Sequence, residues 1–309
     1  MQEITKRNPL VSEAPEPNPS YVDAASHSRR DFTRMILAGL FLRGSRFSRA
    51  DDPPETAPEI ASRKFVIGGG GHLPEPIHRK FVEMAGGKKA KVLVVSSASE
   101  DAKNDRNIGS YWKWGHEVGI AKLMHAEEPE EADQDEFVDD LNDATAVWFG
   151  GGKQEILVKR YRDTRFLKEL HKFSERGGII GGSSAGAAAL SKIMIVKGSP
   201  VPELGDGFGF VPWAVFDQHH TRAGRIERLL AVTEKHPKPL GFGIEDRTAV
   251  ILECTADKVI AIVMGEGNVR FCQNGKVLKI AQDGEKINLG ELPMVHADDN
   301  DHNALFRFK

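Results

Sequence analysis

The chain has only two cysteines in 309 residues, Cys254 and Cys272. Neither stands in a C-x-x-C pair or a Cys/His cluster, which excludes a disulfide-stapled small scaffold, a cysteine-rich zinc module and a redox dithiol. Free or buried thiols are expected rather than a bridge. Charge of one sign is also scarce: 42 Lys and Arg stand against 45 Asp and Glu, a formal net charge of −3. With the signs mixed along the chain there is no footprint for a polyanion, and nucleic acid is not an expected partner. No apolar run is long enough to span a bilayer as a mature helix. The glycine run Gly68-Gly69-Gly70-Gly71-His72 lacks a following G-K-[ST] and the last glycine of G-x-G-x-x-G, which argues against a nucleotide loop.

What is present falls into two parts. Residues 1–25 are polar, punctuated by proline and without apolar periodicity, and are expected to be disordered. Ser28-Arg29-Arg30-Asp31-Phe32-Thr33-Arg34 then leads directly into the short apolar run Met35-Ile36-Leu37-Ala38-Gly39-Leu40-Phe41-Leu42. Paired arginines before a short apolar stretch predict a twin-arginine export signal, with Ser48-Arg49-Ala50 as a cleavage site and a periplasmic or extracellular product. A surface amphipathic helix, or translation starting at Met35, is the alternative. The expected organisation is a leader over 1–50, a proline-containing linker over 51–63 and a catalytic domain over 64–309.

From Lys64 onward, short β-branched runs alternate with helical patterns. This predicts an α/β fold with a mostly parallel central sheet and helices on both faces. Strands are expected at 64–67, 91–95, 120–124, 144–149 and 178–181, and helices at 77–85, 106–118, 132–141 and 154–175. Beyond residue 190 the pattern turns to strands at 193–197, 215–219, 248–253, 259–263 and 268–271, with one strong helix at 222–234, so an antiparallel C-terminal extension is expected.

Chemistry concentrates where an apolar strand meets a small-residue turn. Gly182-Ser183-Ser184-Ala185-Gly186 fits G-x-S-x-G, in which glycines permit the tight turn that lifts a serine above the sheet edge. Ser184 is the candidate nucleophile, and the helix start behind it offers free N–H groups to an oxyanion. A serine needs a base and a carboxylate to orient that base. Asp217-Gln218-His219-His220 closes a strand-like run, with His219 preferred and His220 its neighbour in competition, and Glu245-Asp246 supplies two carboxylates at the end of another. An esterase order using His296 or His302 as base, and a binding protein that has lost turnover, are the rival readings. Arg225 and Arg228, three apart on one helix face, could clamp a substrate carboxylate or face solvent beside Glu227 and Glu234.

Together with Val66-Ile67-Gly68-Gly69-Gly70, Trp148-Phe149-Gly150-Gly151-Gly152-Lys153-Gln154 and Gly241-Phe242-Gly243-Ile244-Glu245-Asp246-Arg247-Thr248-Ala249, these motifs make the chain resemble the cyanophycinase and aspartyl dipeptidase group of serine peptidases. The resemblance spans roughly residues 64–271. It implies a fold like that of class I glutamine amidotransferases, Ser184 as nucleophile, His219 as base and the carboxylate after Ile244 as third member. The family usually has Asp then Glu there; here the order is reversed, so register favours Asp246 and Glu245 remains the alternative. The resemblance further implies an oxyanion hole from the N–H groups of Ala185 and Gly151, and substrate contacts from Gln154, Asp217, Gln218, Arg225 and Arg228. Ala223 stands where a third arginine is expected, beside Arg222, and Lys153 stands where an acid is often found. No cofactor or metal is implied, the partner is a peptide of the β-linked aspartyl-arginine kind, and a homodimer is compatible with this reading.

Overall fold

The structure is a computed structural model that describes residues 62–99, 112–113 and 115–293. The expected leader, most of the linker and of the helix at 106–118, and both His296 and His302 lie outside the described residues. The described residues all belong to one compact unit, 56–309.

Strand β1 (Arg63–Gly68) opens the unit and α1 (Glu75–Met84) follows, with β2 (Lys91–Val95) and β3 (Ile120–Met124) next. Then come α2 (Asp135–Asp143), β4 (Ala146–Phe149), α3 (Gln154–Tyr161), α4 (Arg165–Glu175), β5 (Ile179–Ser183) and the single turn α5 (Ala185–Ala188). A hairpin of β6 (Ile193–Lys197) and β7 (Glu203–Asp206) precedes β8 (Ala214–Asp217), α6 (Arg225–Lys235) and β9 (Leu240–Ile244). The chain continues through β10 (Thr248–Cys254), β11 (Val259–Gly265), β12 (Val269–Gln273), β13 (Lys276–Ala281) and β14 (Lys286–Asn288).

An eight-stranded sheet runs in the order β14-β11-β10-β1-β5-β4-β2-β3. The five strands from β1 to β3 are mutually parallel, and β10, β11 and β14 extend them antiparallel. Its period-two pattern separates two apolar layers. Phe65, Ile67, Leu93, Val95, Val147 and Phe149 pack on one face with Leu157 of α3, Leu170 of α4 and Leu141 of α2. Val66, Val92, Val94, Ala146 and Trp148 pack on the other with Ile77 and Phe81 of α1. Each such side chain taken fully from water contributes about 1.5–3 kcal/mol, so the sheet is anchored on both sides.

The C-terminal extension is more divided than the pattern suggests. Strands β8 and β9 run parallel to each other, and with β12 and β13 they form a separate four-stranded sheet in the order β13-β12-β9-β8. One face of this sheet packs Phe216, Phe242 and Phe271 into the main core; the other packs Val215 and Cys272 against Leu229 and Val232 of α6. The expected helix at 154–175 is two helices, because Asp163 adopts φ +67° and the Thr164 hydroxyl starts a new helix by accepting the Leu167 N–H at 3.3 Å. The helix expected from residue 222 begins at Arg225, after Gly224 in the left-handed region, and the one expected from 132 begins at Asp135, behind a short 3₁₀ turn at Pro129–Asp133. Among the described residues no helix is long and apolar enough to cross a membrane.

Candidate active site

Strand β5 enters α5 through Ser184, whose φ of +54° and ψ of −115° lie outside the regions an L-residue adopts freely. Such a residue costs on the order of 1–3 kcal/mol unless its surroundings hold it. Here they do, because the turn is closed by backbone packing that only glycine allows. A Cβ on Gly182 would lie 2.7 Å from the Gly186 carbonyl carbon, and one on Gly186 would lie 2.3 Å from the Phe149 oxygen.

Three successive carbonyls, from the last residue of β1 onward, fix what surrounds the serine. Gly68 O accepts the Ser184 N–H at 3.1 Å, Gly69 O accepts the His219 N–H at 2.7 Å, and Gly70 O accepts the Arg247 N–H at 2.9 Å. Gly70 has φ +107°, and a Cβ there would sit 2.2 Å from Cε1 of His219. The glycine run that invites a nucleotide reading is thus a backbone rail against which the ends of β5, β8 and β9 are set.

On that rail the side chains meet. Ser184 Oγ is 2.8 Å from His219 Nε2, and His219 Nδ1 is hydrogen-bonded to Asp246 Oδ1. With Nδ1–H donating to the carboxylate, Nε2 is left as acceptor for the serine hydroxyl, the tautomer a general base needs. Burial holds the His219 imidazole below its ordinary pKa against the pull of Asp246, and the positive charges of Arg222 and Arg225 add to the lowering. Its neutral form is favoured at neutral pH.

Glu245 points elsewhere. It forms an ion pair with Arg270 at 2.6 Å and accepts the Asn268 N–H at 2.8 Å. Burial alone would raise its carboxyl, but Arg270 and Asn268 outweigh that and hold it below the usual range. His220 is fully buried, with Nδ1 3.5 Å from Asp217 Oδ2. Ala185 is the first residue of α5, so its N–H has no acceptor within the helix, and a Cβ on Gly151 would lie 3.5 Å from Ser184 Cβ. Both backbones therefore flank the serine.

A cleft of about 370 Å³ opens at Ser184 and His219. Gln154, Gln218, Arg225 and Arg228 line it, as does Arg222. Gln154 donates Nε2–H to the carbonyls of Ile195, at 3.0 Å, and Val196. Asp217, expected as a substrate contact, is not among the lining residues and is 0% exposed. It sits behind the wall, accepting Arg228 Nε at 3.0 Å and 3.2 Å, Arg228 Nη2, and Arg225 Nη1 at 3.5 Å. Sequence reasoning missed Lys197 and Ser199, which line the cleft at the end of β6 and just beyond it. The sole sequence signal was the Lys197-Gly198-Ser199-Pro200 turn following a strand. Cys254 and Cys272 are free and buried, and burial pushes each thiol up to about 12. Among the described residues no group of three or more His, Cys, Asp or Glu side chains could hold a metal ion.

A serine on a strained strand-to-helix turn, joined through a histidine to an aspartate at the carboxyl ends of strands, is the constellation of serine-type hydrolases on an α/β scaffold. Residues 65–260 match the model of peptidase family S51, and the chain belongs to that family. It is similar to the cyanophycinase of Synechococcus elongatus, 31% identical over 199 residues that make up 61% of this chain and 60% of that protein. The cyanophycinase of Geminocystis herdmanii is 28% identical over 242 residues, 73% of this chain and 85% of that one. The chain thus spans about 60% of the length of the Synechococcus relative. Its fold is shared with the crystal structure of a peptidase from an acI-B1 actinobacterium, with a TM-score of 0.61 at 21% identity, covering 74% of this chain and 97% of that chain.

Proposed function

We propose that this chain is an exported serine peptidase that hydrolyses cyanophycin or related aspartyl peptides of the β-Asp-Arg type through an acyl-enzyme. The observation that carries this reading is the 2.8 Å contact of Ser184 Oγ with His219 Nε2, backed by Asp246 and opening into a cleft lined by arginines. His219 takes the Ser184 proton as Oγ attacks the peptide carbonyl, and the developing oxyanion turns to the N–H groups of Ala185 and Gly151. His219 then hands the proton to the leaving amine. Water, activated by the same imidazole, releases the acyl group and restores Ser184. Arg225 and Arg228, held in place by Asp217, offer their positive charge to a substrate carboxylate.

Support for the substrate class comes from the S51 family match and the similarity to cyanophycinases. Support for export comes from Arg29-Arg30 ahead of the apolar run at 35–42. The test is release of dipeptide from cyanophycin by the purified protein beside its Ser184→Ala variant, with labelling by a serine-directed fluorophosphonate. Release that the variant lacks supports both mechanism and substrate. Labelling without release keeps the hydrolase and discards the polymer, and absence of labelling discards the serine mechanism.

A further inference from the structure

The cleft beside Ser184 is lined by four cationic side chains, Lys197 from the end of β6, Arg222 from the turn before α6, and Arg225 and Arg228 from the first turn of α6. No carboxylate lines it among the described residues. The four differ in how they are held. Arg228, 3% exposed, is committed to Asp217 and, through Nη1, to Gly198 O at 2.8 Å. Arg225 donates to the Gln218 carbonyl and to Asp217. One buried carboxylate thus stands behind these two guanidinium groups.

Lys197 and Arg222 belong to the outer part of the cleft and are exposed. The acid nearest Lys197 is Glu203, 3.4 Å away, with side chains 67% and 60% exposed, a pair that solvent screens and a ligand displaces easily. Like charges gathered in one cleft repel one another, and an anion bound among them relieves that repulsion. Two anion subsites follow: an inner one at the fixed arginines and an outer one at the exposed cations Lys197 and Arg222.

We infer that the peptides this cleft selects carry two carboxylates, an aspartyl residue joined to a second acidic residue, and that Lys197 together with Arg222 reads the second carboxylate. This rests on the serine-peptidase reading above and, within its aspartyl peptides, sets acidic ones ahead of the β-Asp-Arg type. A substrate guanidinium in the outer subsite would face Lys197 and Arg222 with no acid among the lining residues, whereas a carboxylate would meet Arg222 and, by displacing the exposed Glu203, Lys197. Lys197 is therefore a specificity-determining residue of the site, contributed by an element outside the motifs that carry Ser184, His219 and Asp246.

The experiment reads binding without turnover. The full-length Ser184→Ala protein is titrated calorimetrically with β-Asp-Glu, β-Asp-Leu and β-Asp-Arg dipeptides. β-Asp-Glu is expected to bind at least about tenfold tighter than β-Asp-Arg, with β-Asp-Leu between, because close charge pairs discriminate by exchanging attraction for repulsion. Added salt should compress the difference. Lys197→Glu in the same background should abolish or invert the order, with its fold checked by far-UV circular dichroism because the new carboxylate faces Glu203, and Lys197→Gln beside it should shrink the difference. β-Asp-Arg binding as tightly as β-Asp-Glu, an unchanged order in the Lys197→Glu variant, or no binding of any dipeptide would overturn the inference. Wild-type turnover is measured separately: selective binding without turnover would overturn the peptidase reading while leaving this one standing.

Discussion

Replacing Asp217 by alanine isolates the buried ion pair behind the cleft. Asp217 is 0% exposed and Arg228 3% exposed. Three of the arginine's hydrogen bonds go to that carboxylate and one goes to the Gly198 carbonyl. Alanine leaves a guanidinium in the interior without its counter-ion, and breaking a buried pair from one side costs about 3–5 kcal/mol. The cost measures the stranded charge, not the net worth of the pair. Against a total stability of about 5–15 kcal/mol this is a large fraction, and at about 2–4 °C per kcal/mol it lowers the midpoint by about 6–20 °C. Urea unfolding at neutral pH, read by tryptophan fluorescence, provides the assay. The dependence on pH is a second reading. Burial alone would raise the Asp217 carboxyl, but His220 and Arg228 outweigh it and hold the group below its ordinary value. A depressed carboxylate contributes stability that is whole above its unfolded value of about 3.9 and is lost as pH falls through the folded value. The gap between wild type and variant should therefore hold from neutral pH down to about 4 and narrow below it. A loss under about 1 kcal/mol, the size of an exposed pair, would refute the argument.

Three further substitutions follow from the same geometry. Asp246→Asn should lower kcat by about a thousand- to ten-thousand-fold by spoiling the His219 tautomer, whereas Glu245→Gln should leave kcat near wild type and cost about 1–3 kcal/mol of stability through Arg270; the reverse pattern in steady-state kinetics would move the third member to Glu245. Arg222→Ala removes a positive charge that helps hold His219 below its ordinary value, so the acid limb of the kcat/KM profile, followed on a neutral activated ester, should move to higher pH, and a shift to lower pH would contradict the assignment.

The core of this reading was legible because it is local. Gly182-Ser183-Ser184-Ala185-Gly186 announces its turn by composition, and the strands 91–95 and 146–149 announce themselves by continuous apolar runs buried on both faces. What was hidden depends on partners far apart in sequence. The division of the C-terminal strands into two sheets follows from which strand each one pairs with, and Phe242 and Val250 look alike in a period-two pattern although they lie in different sheets. Between Glu245 and Asp246 register favours the second, and what holds the first away, Arg270 and Asn268, lies more than twenty residues on. Asp217 reads as a cleft residue beside Gln218 and His219, but β8 alternates, and its last side chain turns inward to Arg228. Lys197 carried no motif at all and reaches the site only through the path of β6.

The carbonyl rail of Gly68, Gly69 and Gly70 has a mechanical consequence. Ser184 hangs from the central sheet, while His219 and Asp246 hang from the smaller one, so a slip of one sheet along the other would separate acceptor from donor. Because all three segments are referred to consecutive links of one short stretch of backbone, a displacement of that stretch carries them together and leaves their mutual spacing intact. The alignment is written in main-chain atoms that no side-chain replacement elsewhere removes, and its tolerance is that of a common datum rather than of three independent supports.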